Sequence, residues 1–259
     1  MAAMAMNILR VEGIAKEFGG VHAVDDLSFA LEVGRIHSII GPNGAGKTTL
    51  FNLVSGVYTP TRGRIFLAEQ DVTDVPPARR ARLGLARTFQ NLQIFFNMTA
   101  LENVMVGRHR HLDCRFLHSL LHLPAIVRAD RDARDRAIEL MRFVGLDGYV
   151  DADADSMPYG ALKRLEIARA LAAEPRLLLL DEPAAGLNPS ETQEIDELIK
   201  KVAVGGTTVV LVEHDMRLVM GISDHIVVLD YGRRLAEGTA AEVRANPDVI
   251  RAYLGAAAA

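Results

Sequence analysis

The rhythm of hydrophobic and polar positions changes twice along this chain. Residues 7–75 alternate apolar and polar positions in short runs interrupted by glycines and charged residues, which is typical of β-strands joined by turns. Residues 92–155 instead carry apolar positions at helical spacing, most clearly in 99–108 and 129–146. From residue 162 onward, helical stretches alternate with short apolar runs that have the length of buried strands.

The alternation in the C-terminal half predicts a parallel sheet covered by helices. The predicted segments are helix 162–172, strand 177–181, helix 190–204, strand 208–213, helix 216–223 and strand 225–230. A further helix is predicted at 47–55, directly after a glycine-rich loop. The sequence therefore predicts an α/β core that is interrupted by a helical insert.

Composition narrows the class of protein. The chain has 259 residues, 49% of them hydrophobic, with a net charge of -4, which argues against a nucleic-acid partner held by bulk electrostatics. Its single cysteine, Cys114, is interpreted as structural and as fitting a reducing compartment. No signal peptide or membrane-spanning run is recognisable, so we expect a cytoplasmic protein that borrows any membrane role from a partner. A basic cluster is interpreted as a solvated helix face: Arg79, Arg80, Arg82 and Arg87.

Residues 41–48, GPNGAGKT, match the pattern G-x-x-x-x-G-K-[ST] between a predicted strand and a predicted helix. Glycines let consecutive main-chain N–H groups turn inward, and the helix N-terminus adds partial positive charge. Lys47 is expected to reach the β and γ phosphates and the Thr48 hydroxyl to ligate Mg²⁺. The predicted triphosphate-binding residues are Gly41, Pro42, Asn43, Gly44, Ala45, Gly46, Lys47, Thr48 and Thr49.

The stretch LLLLDEP places two carboxylates at the end of a predicted buried strand. Asp181 is expected to bind Mg²⁺, and Glu182 to act as the general base for a water that attacks the γ phosphate. A surface Asp-Glu pair is the alternative, but four preceding leucines and a following proline disfavour it. The two motifs together predict a triphosphate site with Mg²⁺.

With these motifs in order, the chain resembles the ATP-binding subunits of ABC transporters over residues 7–254. The resemblance implies a P-loop core with a mostly parallel sheet, an N-terminal antiparallel β subdomain and a helical insert at about 92–160, all in one ATP-binding domain. It also implies roles for three residues. Phe18 stacks on adenine, Gln90 contacts Mg²⁺ and the attacking water, and His214 contacts the γ phosphate.

The family's signature segment, Leu-Ser-Gly-Gly-Gln in most members, falls on residues 157–161, which read MPYGA. The resemblance implies that Tyr159 and Gly160 contact the ATP held by an opposite subunit, so that two cassettes clamp nucleotide between them. Pro158 replaces the serine and has neither a hydroxyl nor a main-chain N–H. We therefore expect a working but slow ATPase, with a regulatory ATP sensor as the alternative.

Within the family, the signature with tyrosine and the C-terminal sequence GTAAEVRANPDVIRAYLG are similar to the ATPase of branched-chain amino acid importers. The implied partners are two membrane permease subunits, a second ATPase copy or sibling and, indirectly, a periplasmic binding protein. The implied location is peripheral, on the cytoplasmic face of the inner membrane. Lipopolysaccharide export and urea or amide import are alternatives, whereas ATPases that act on ribosomes or DNA carry modules that this chain lacks.

Four histidines fall in the insert: His109, His111, His118 and His122. The i, i+4 spacing of His118 and His122 is compatible with metal binding on a helix. A solvated surface or contact with a membrane subunit is the favoured interpretation, because no carboxylate or cysteine pattern completes a metal site.

Overall fold

A computed structural model describes residues 6–108 and 124–256. The strands are β1 Asn7–Phe18, β2 Val21–Glu32, β3 Ile36–Ile40, β4 Arg62–Leu67, β5 Gln70–Asp71, β6 Leu85–Arg87, β7 Leu177–Asp181, β8 Thr208–Val212, β9 His225–Asp230 and β10 Arg233–Gly238. The helices are α1 Lys47–Ser55, α2 Pro77–Arg82, α3 Ala100–Gly107, α4 Pro124–Phe143, α5 Tyr159–Ala172, α6 Pro189–Val204, α7 Met216–Ile222, α8 Ala240–Ala245 and α9 Pro247–Ala256.

The strands form two sheets. The larger has the order β10-β9-β3-β8-β7-β6, and the smaller has the order β2-β1-β4-β5. All neighbours in the larger sheet pair in parallel except β9 and β10, which form an antiparallel hairpin at one edge. The smaller sheet is antiparallel throughout. This arrangement confirms the predicted α/β class with a mostly parallel sheet and an N-terminal antiparallel subdomain.

The leucine run of β7 shows how the larger sheet is buried on both faces. Leu177 and Leu179 belong to a core shared with α1 and the smaller sheet, while Leu178 and Leu180 belong to a core formed with α3 to α6. Successive side chains of a strand point to opposite faces, so a continuous apolar run is what a strand between two layers requires. Every residue of β3, β7 and β8 is buried.

The helical insert contains α3, α4 and two short 3-10 helices, Asp147–Tyr149 and Ala154–Ser156. Helix α3 begins with a capping box, in which the Thr99 side chain accepts the Glu102 N–H and Glu102 accepts the Thr99 N–H. No helix in the described ranges is long and apolar enough to cross a membrane. The four insert histidines and Cys114 lie outside the described residues.

The interpretation of the basic cluster as a solvated face is wrong for Arg80. Its side chain is 1% exposed and donates to the carbonyls of Leu53 and Val54, in the last turn of α1, and to those of Thr73 and Val75. A cation near a helix C-terminus satisfies unpaired carbonyls and favours the helix dipole. Burial lowers the pKa of Arg80 to about 10, so the guanidinium stays charged at neutral pH.

Candidate nucleotide-binding site

The phosphate loop, residues 41–48, connects β3 to the start of α1. Gly46 is the N-cap of α1 and has a φ of 96°, a left-handed conformation that side chains rarely adopt. A Cβ at Gly46 would lie 2.4 Å from the carbonyl oxygen of Ala23, and one at Gly41 would lie 2.2 Å from that of Leu229. Glycine is therefore required at both positions, and the loop exposes main chain with few side chains around it.

Lys47 is held by the loop itself. Its Nζ donates to the carbonyl oxygens of Gly41 at 2.7 Å and Pro42 at 2.9 Å. Burial lowers the pKa of Lys47, while Asp181 and Glu182 act in the opposite direction. A cavity of about 330 Å³ opens beside the ammonium group. Its lining comprises residues of the loop and of two distant segments: Ala23, Asn43, Gly44, Ala45, Gly46, Lys47, Thr48, Thr49, Gln90 and Glu182.

Asp181 is the last residue of β7 and forms an ion pair with Arg87, which was predicted to lie on a solvated helix face. Arg87 ends the neighbouring strand β6 and donates to Asp181 Oδ2 at 2.9 Å, with the side chains 6% and 5% exposed respectively. Arg87 also donates to Asn52 Oδ1 at 2.7 Å and to Ser55 Oγ at 2.9 Å. The prediction of a solvated Arg87 is therefore wrong, because the pair depends on β6 lying beside β7, which no local sequence pattern indicates.

Breaking this buried pair is expected to destabilise the fold strongly. Replacing Arg87 by methionine leaves the Asp181 carboxylate buried without a cation, and such losses cost about 3–5 kcal/mol. Denaturant unfolding monitored by circular dichroism measures the change. The matched control is Arg79→Met, since Arg79 is exposed on α2 and its loss is expected to stay within about 0.5 kcal/mol. Equal stability of the two variants would contradict the assignment.

Glu182 occupies the first position after β7 and has a φ of 49°, which is left-handed for a residue other than glycine. Its N–H donates to the Val212 carbonyl at 2.9 Å, which extends the pairing of β7 with β8 by one residue. Its carboxylate accepts the Gln90 Nε2–H at 3.0 Å through Oε2, and His214 Nδ1 lies 3.6 Å from Oε1. The structure thus brings together three side chains that are separated by about 90 and 30 residues in the sequence.

The donors near the loop suit a magnesium ion. Thr48, Asp181 and Gln90 offer oxygen atoms, which Mg²⁺ prefers, and Mg²⁺ commonly takes only one or two protein ligands beside phosphate oxygens and water. Arg87 occupies Asp181 Oδ2 and does not donate to Oδ1. Within 6–108 and 124–256, no group of three or more histidine, cysteine, aspartate or glutamate side chains forms a closed metal site. Three oxygen donors are fewer than the six ligands of Mg²⁺, so the set fits an ion that completes its coordination with phosphate oxygens and water.

Phe18 lies at the end of β1, outside the lining of the loop cavity. Its ring is 43% exposed and packs edge-on against Tyr58, with ring centroids 5.3 Å apart. Lys16 Nζ lies 5.2 Å from the Phe18 centroid and donates to the Thr59 carbonyl. Tyr58 was not recognised in the sequence, because an isolated tyrosine carries no motif.

The signature segment does not line the cavity of its own phosphate loop. Helix α5 begins at Tyr159, three residues before the predicted start, because Pro158 adopts an extended N-cap conformation that frees the next residue to begin the helix. The first main-chain bond of α5 runs from the Leu162 N–H to the Pro158 carbonyl, so the N–H groups of residues 159–161 have no acceptor within the helix.

The first turn of α5 packs against the loop that precedes α6. A Cβ at Gly160 would lie 2.5 Å from Glu191 Oε1, and one at Gly186 would lie 3.2 Å from the Tyr159 ring. Asn188 is the N-cap of α6, and its Oδ1 accepts the N–H groups of Ser190 and Glu191 at 3.0 Å each. The signature segment and the loop 182–188 are thus in direct contact within one chain.

A glycine loop that opens the first core helix, with a strand-end Asp-Glu pair beside it, defines a P-loop nucleoside triphosphatase. A family model described as ABC transporter matches residues 24–185, and one described as branched-chain amino acid ATP-binding cassette transporter matches residues 233–259. The chain belongs to the ABC transporter family, as one of the ATP-binding cassettes whose ATPase activity drives transport.

Curated relatives align with the chain over nearly its whole length. BraF of Pseudomonas aeruginosa, a high-affinity branched-chain amino acid transport ATP-binding protein, is 48% identical over 98% of this chain and 100% of its own length. LivG of Escherichia coli, which carries the same description, is 47% identical over the same shares. A solved ATP-binding cassette in its ADP conformation superimposes with a TM-score of 0.84 at 33% identity, covering 96% of this chain and 99% of its own.

Proposed function

We propose that this chain hydrolyses ATP to power the uptake of leucine, isoleucine and valine across the inner membrane. The observation that carries the proposal is the 47–48% identity to two branched-chain amino acid transport ATP-binding proteins, together with the C-terminal match at residues 233–259. The proposed assembly contains two permease subunits, a second ATPase copy or sibling and a periplasmic binding protein. In it, residues 7–254 form one cassette at the cytoplasmic face of the membrane.

In the proposed reaction, the N–H groups of the phosphate loop and the Lys47 ammonium bind the β and γ phosphates. Thr48, Asp181 and Gln90 would hold Mg²⁺, and the ion would supply positive charge that neutralises those phosphates. Glu182 accepts the proton of the attacking water, since its carboxylate lines the loop cavity and lies within reach of Gln90 and His214. Phe18, whose ring packs edge-on against the half-buried Tyr58, provides an exposed aromatic ring for adenine.

The signature segment acts on the ATP of the second ATPase subunit in this proposal. The N–H groups of residues 159–161 have no acceptor within the helix, and the N-terminus of α5 carries partial positive charge. Both features favour the binding of an anion at this end of the helix. Tyr159 is 45% exposed, which leaves its side chain accessible to another subunit. Closure of the two subunits on ATP then couples binding to movement of the permeases.

Pro158→Ser is expected to accelerate hydrolysis by the assembled transporter about tenfold or more. A serine supplies a hydroxyl and a main-chain N–H toward the γ phosphate, and one charge-assisted hydrogen bond contributes about 1.5–3 kcal/mol. Ala161 is left unchanged because it is 2% exposed within the core, where glutamine would not fit. The control is Pro76→Ser, the same change at the N-cap of α2. No ATP turnover in either the wild type or Pro158→Ser would exclude Glu182-driven hydrolysis and favour a regulatory ATP sensor.

The transported substrate is tested by uptake in cells. Deletion of the gene is expected to abolish high-affinity uptake of radiolabelled leucine, isoleucine and valine, and a plasmid copy should restore it. A plasmid copy with Lys47→Met is expected not to restore it, because ATP binding is lost. Intact leucine uptake in the deletion strain, combined with a defect in urea or amide uptake or in lipopolysaccharide export, would assign the chain to those systems instead.

A further inference from the structure

Glu213 follows β8 directly. It contacts the turn after β7, which carries Glu182, and the turn after β8, which carries His214. Its side chain is buried, with the residue 2% exposed. Its two carboxylate oxygens accept different main-chain donors, Oε1 from the Ala184 N–H at 3.0 Å and Oε2 from the His214 N–H at 3.1 Å. One carboxylate therefore joins the turn after β7 to the turn after β8.

The charge of Glu213 has no ordinary partner. Among the described residues, no lysine or arginine forms an ion pair with it, and burial raises the pKa of its carboxyl. Burying a carboxylate without a cation is costly unless N–H donors compensate. The N–H groups of Ala184 and His214, together with the main chain of Asp215, favour the carboxylate form against the effect of burial, and the first two connect the turn after β7 to the turn after β8.

The turn that Glu213 holds contains a strained residue. Glu182 has a φ of 49°, and such a conformation persists only where the surroundings determine it. The Glu182 N–H is fixed on the Val212 carbonyl, and two residues later the Ala184 N–H is fixed on Glu213. The main chain at the strained residue and two residues after it is therefore hydrogen-bonded to two consecutive residues, Val212 and Glu213.

We propose that Glu213 is a positioning residue for ATP hydrolysis, which holds Glu182 and His214 in register by binding the main chain of both turns. The inference rests on the proposed function, because it assigns Glu213 to the same reaction. Glu213 itself touches neither Gln90 nor the cavity beside Lys47. Its effect is expected on the rate of hydrolysis and not on the binding of ATP.

The test measures kcat and KM for ATP with the full chain in its assembled transporter. Glu213→Gln keeps the size of the side chain, but its NH2 group faces one of the two N–H donors and loses that bond. A lost hydrogen bond to a charged group predicts a fall in kcat of about tenfold, with KM changed less than about twofold. The control is Glu242→Gln, which alters another carboxylate that accepts a main-chain N–H, at the capping box of α8. Its kcat is expected to match the wild type.

A double-variant cycle separates positioning from general destabilisation. If Glu213 acts partly through His214, Glu213→Gln combined with His214→Ala loses less than the product of the two single losses. Fully multiplicative losses, a KM rise as large as the kcat fall, or a wild-type kcat in Glu213→Gln would each overturn the inference.

Thermal melting and ATP affinity identify a variant that does not fold. In that case Glu213→Asp, which keeps the charge but withdraws the carboxylate by one methylene, replaces it, and a wild-type kcat there overturns the inference equally. Failure of the proposed function is a separate result, since it shows as no ATP hydrolysis by the wild-type transporter.

Discussion

Lys47→Met is expected to weaken the binding of MgATP at least 100-fold. In the structure the ammonium donates to the carbonyls of Gly41 and Pro42 and lies at the wall of the loop cavity, so it is poised to bind a phosphate that enters. A charge-assisted hydrogen bond is worth about 1.5–3 kcal/mol, and a factor of 100 corresponds to about 2.7 kcal/mol. Methionine retains the length of the apolar stem without the charge. Isothermal titration calorimetry of the purified chain measures the affinity.

The matched control is Lys201→Met, since Lys201 is exposed near the end of α6. It is expected to bind MgATP with wild-type affinity and to unfold at the same temperature. Lys47→Met is also expected to fold normally, because the hydrogen bonds of the Lys47 side chain within 6–108 and 124–256 are to two carbonyls of its own loop. Equal affinity of both lysine variants would show that the phosphates lie elsewhere, and a wild-type chain without ATP affinity would remove the basis of the proposed function.

The conformation of residues 41–48 was predictable because the loop is formed by contiguous main chain. The spacing of Gly41, Gly46 and Lys47 reports directly on backbone conformation and on the position of one ammonium group. The same holds for β7, whose apolar run predicted a strand buried on both faces. Local pattern and local structure coincide in these segments, so the sequence could be interpreted without knowledge of the sheet.

The environments of Arg80 and Arg87 were not predictable from charge pattern. Arg80 is held by carbonyls from the end of α1 and from residues 73–75, and a carbonyl is present at every residue whatever the side chain. Arg87 faces Asp181 only because β6 lies beside β7, although 94 positions separate the two residues. The sheet order that creates this pair depends on pairing between distant strands, which periodicity does not encode.

Helix α5 begins at Tyr159 and not at the predicted residue 162. Pro158 lacks an N–H donor, but in the structure it is also the N-cap after which the helix begins. The close contact of Gly160 with Glu191 has the same origin, since it depends on how α5 and α6 pack and not on either segment alone. Tertiary packing decides such boundaries.

Glu182→Gln is expected to reduce ATP hydrolysis by about 10²–10⁴-fold while leaving the binding of MgATP intact. A positioned general base contributes a factor of this size, and glutamine cannot accept a proton from water at neutral pH. The amide oxygen still accepts the Gln90 Nε2–H, and glutamine is no more strained than glutamate at a φ of 49°. The site geometry is therefore retained. Phosphate release by the assembled transporter measures the rate, and calorimetry of the purified chain measures binding.

The Glu182→Gln variant also separates the effect of ATP binding on the pair of subunits from the effect of ATP hydrolysis. If two cassettes close on ATP and hydrolysis reopens them, Glu182→Gln accumulates the closed pair, and size-exclusion chromatography with MgATP is expected to show a dimer that the wild type does not retain. Glu197→Gln is the control, because Glu197 is exposed on α6 and does not line the loop cavity. Hydrolysis within about threefold of wild type in Glu182→Gln would place the base on another residue, since a positioned general base contributes about 10²–10⁴-fold.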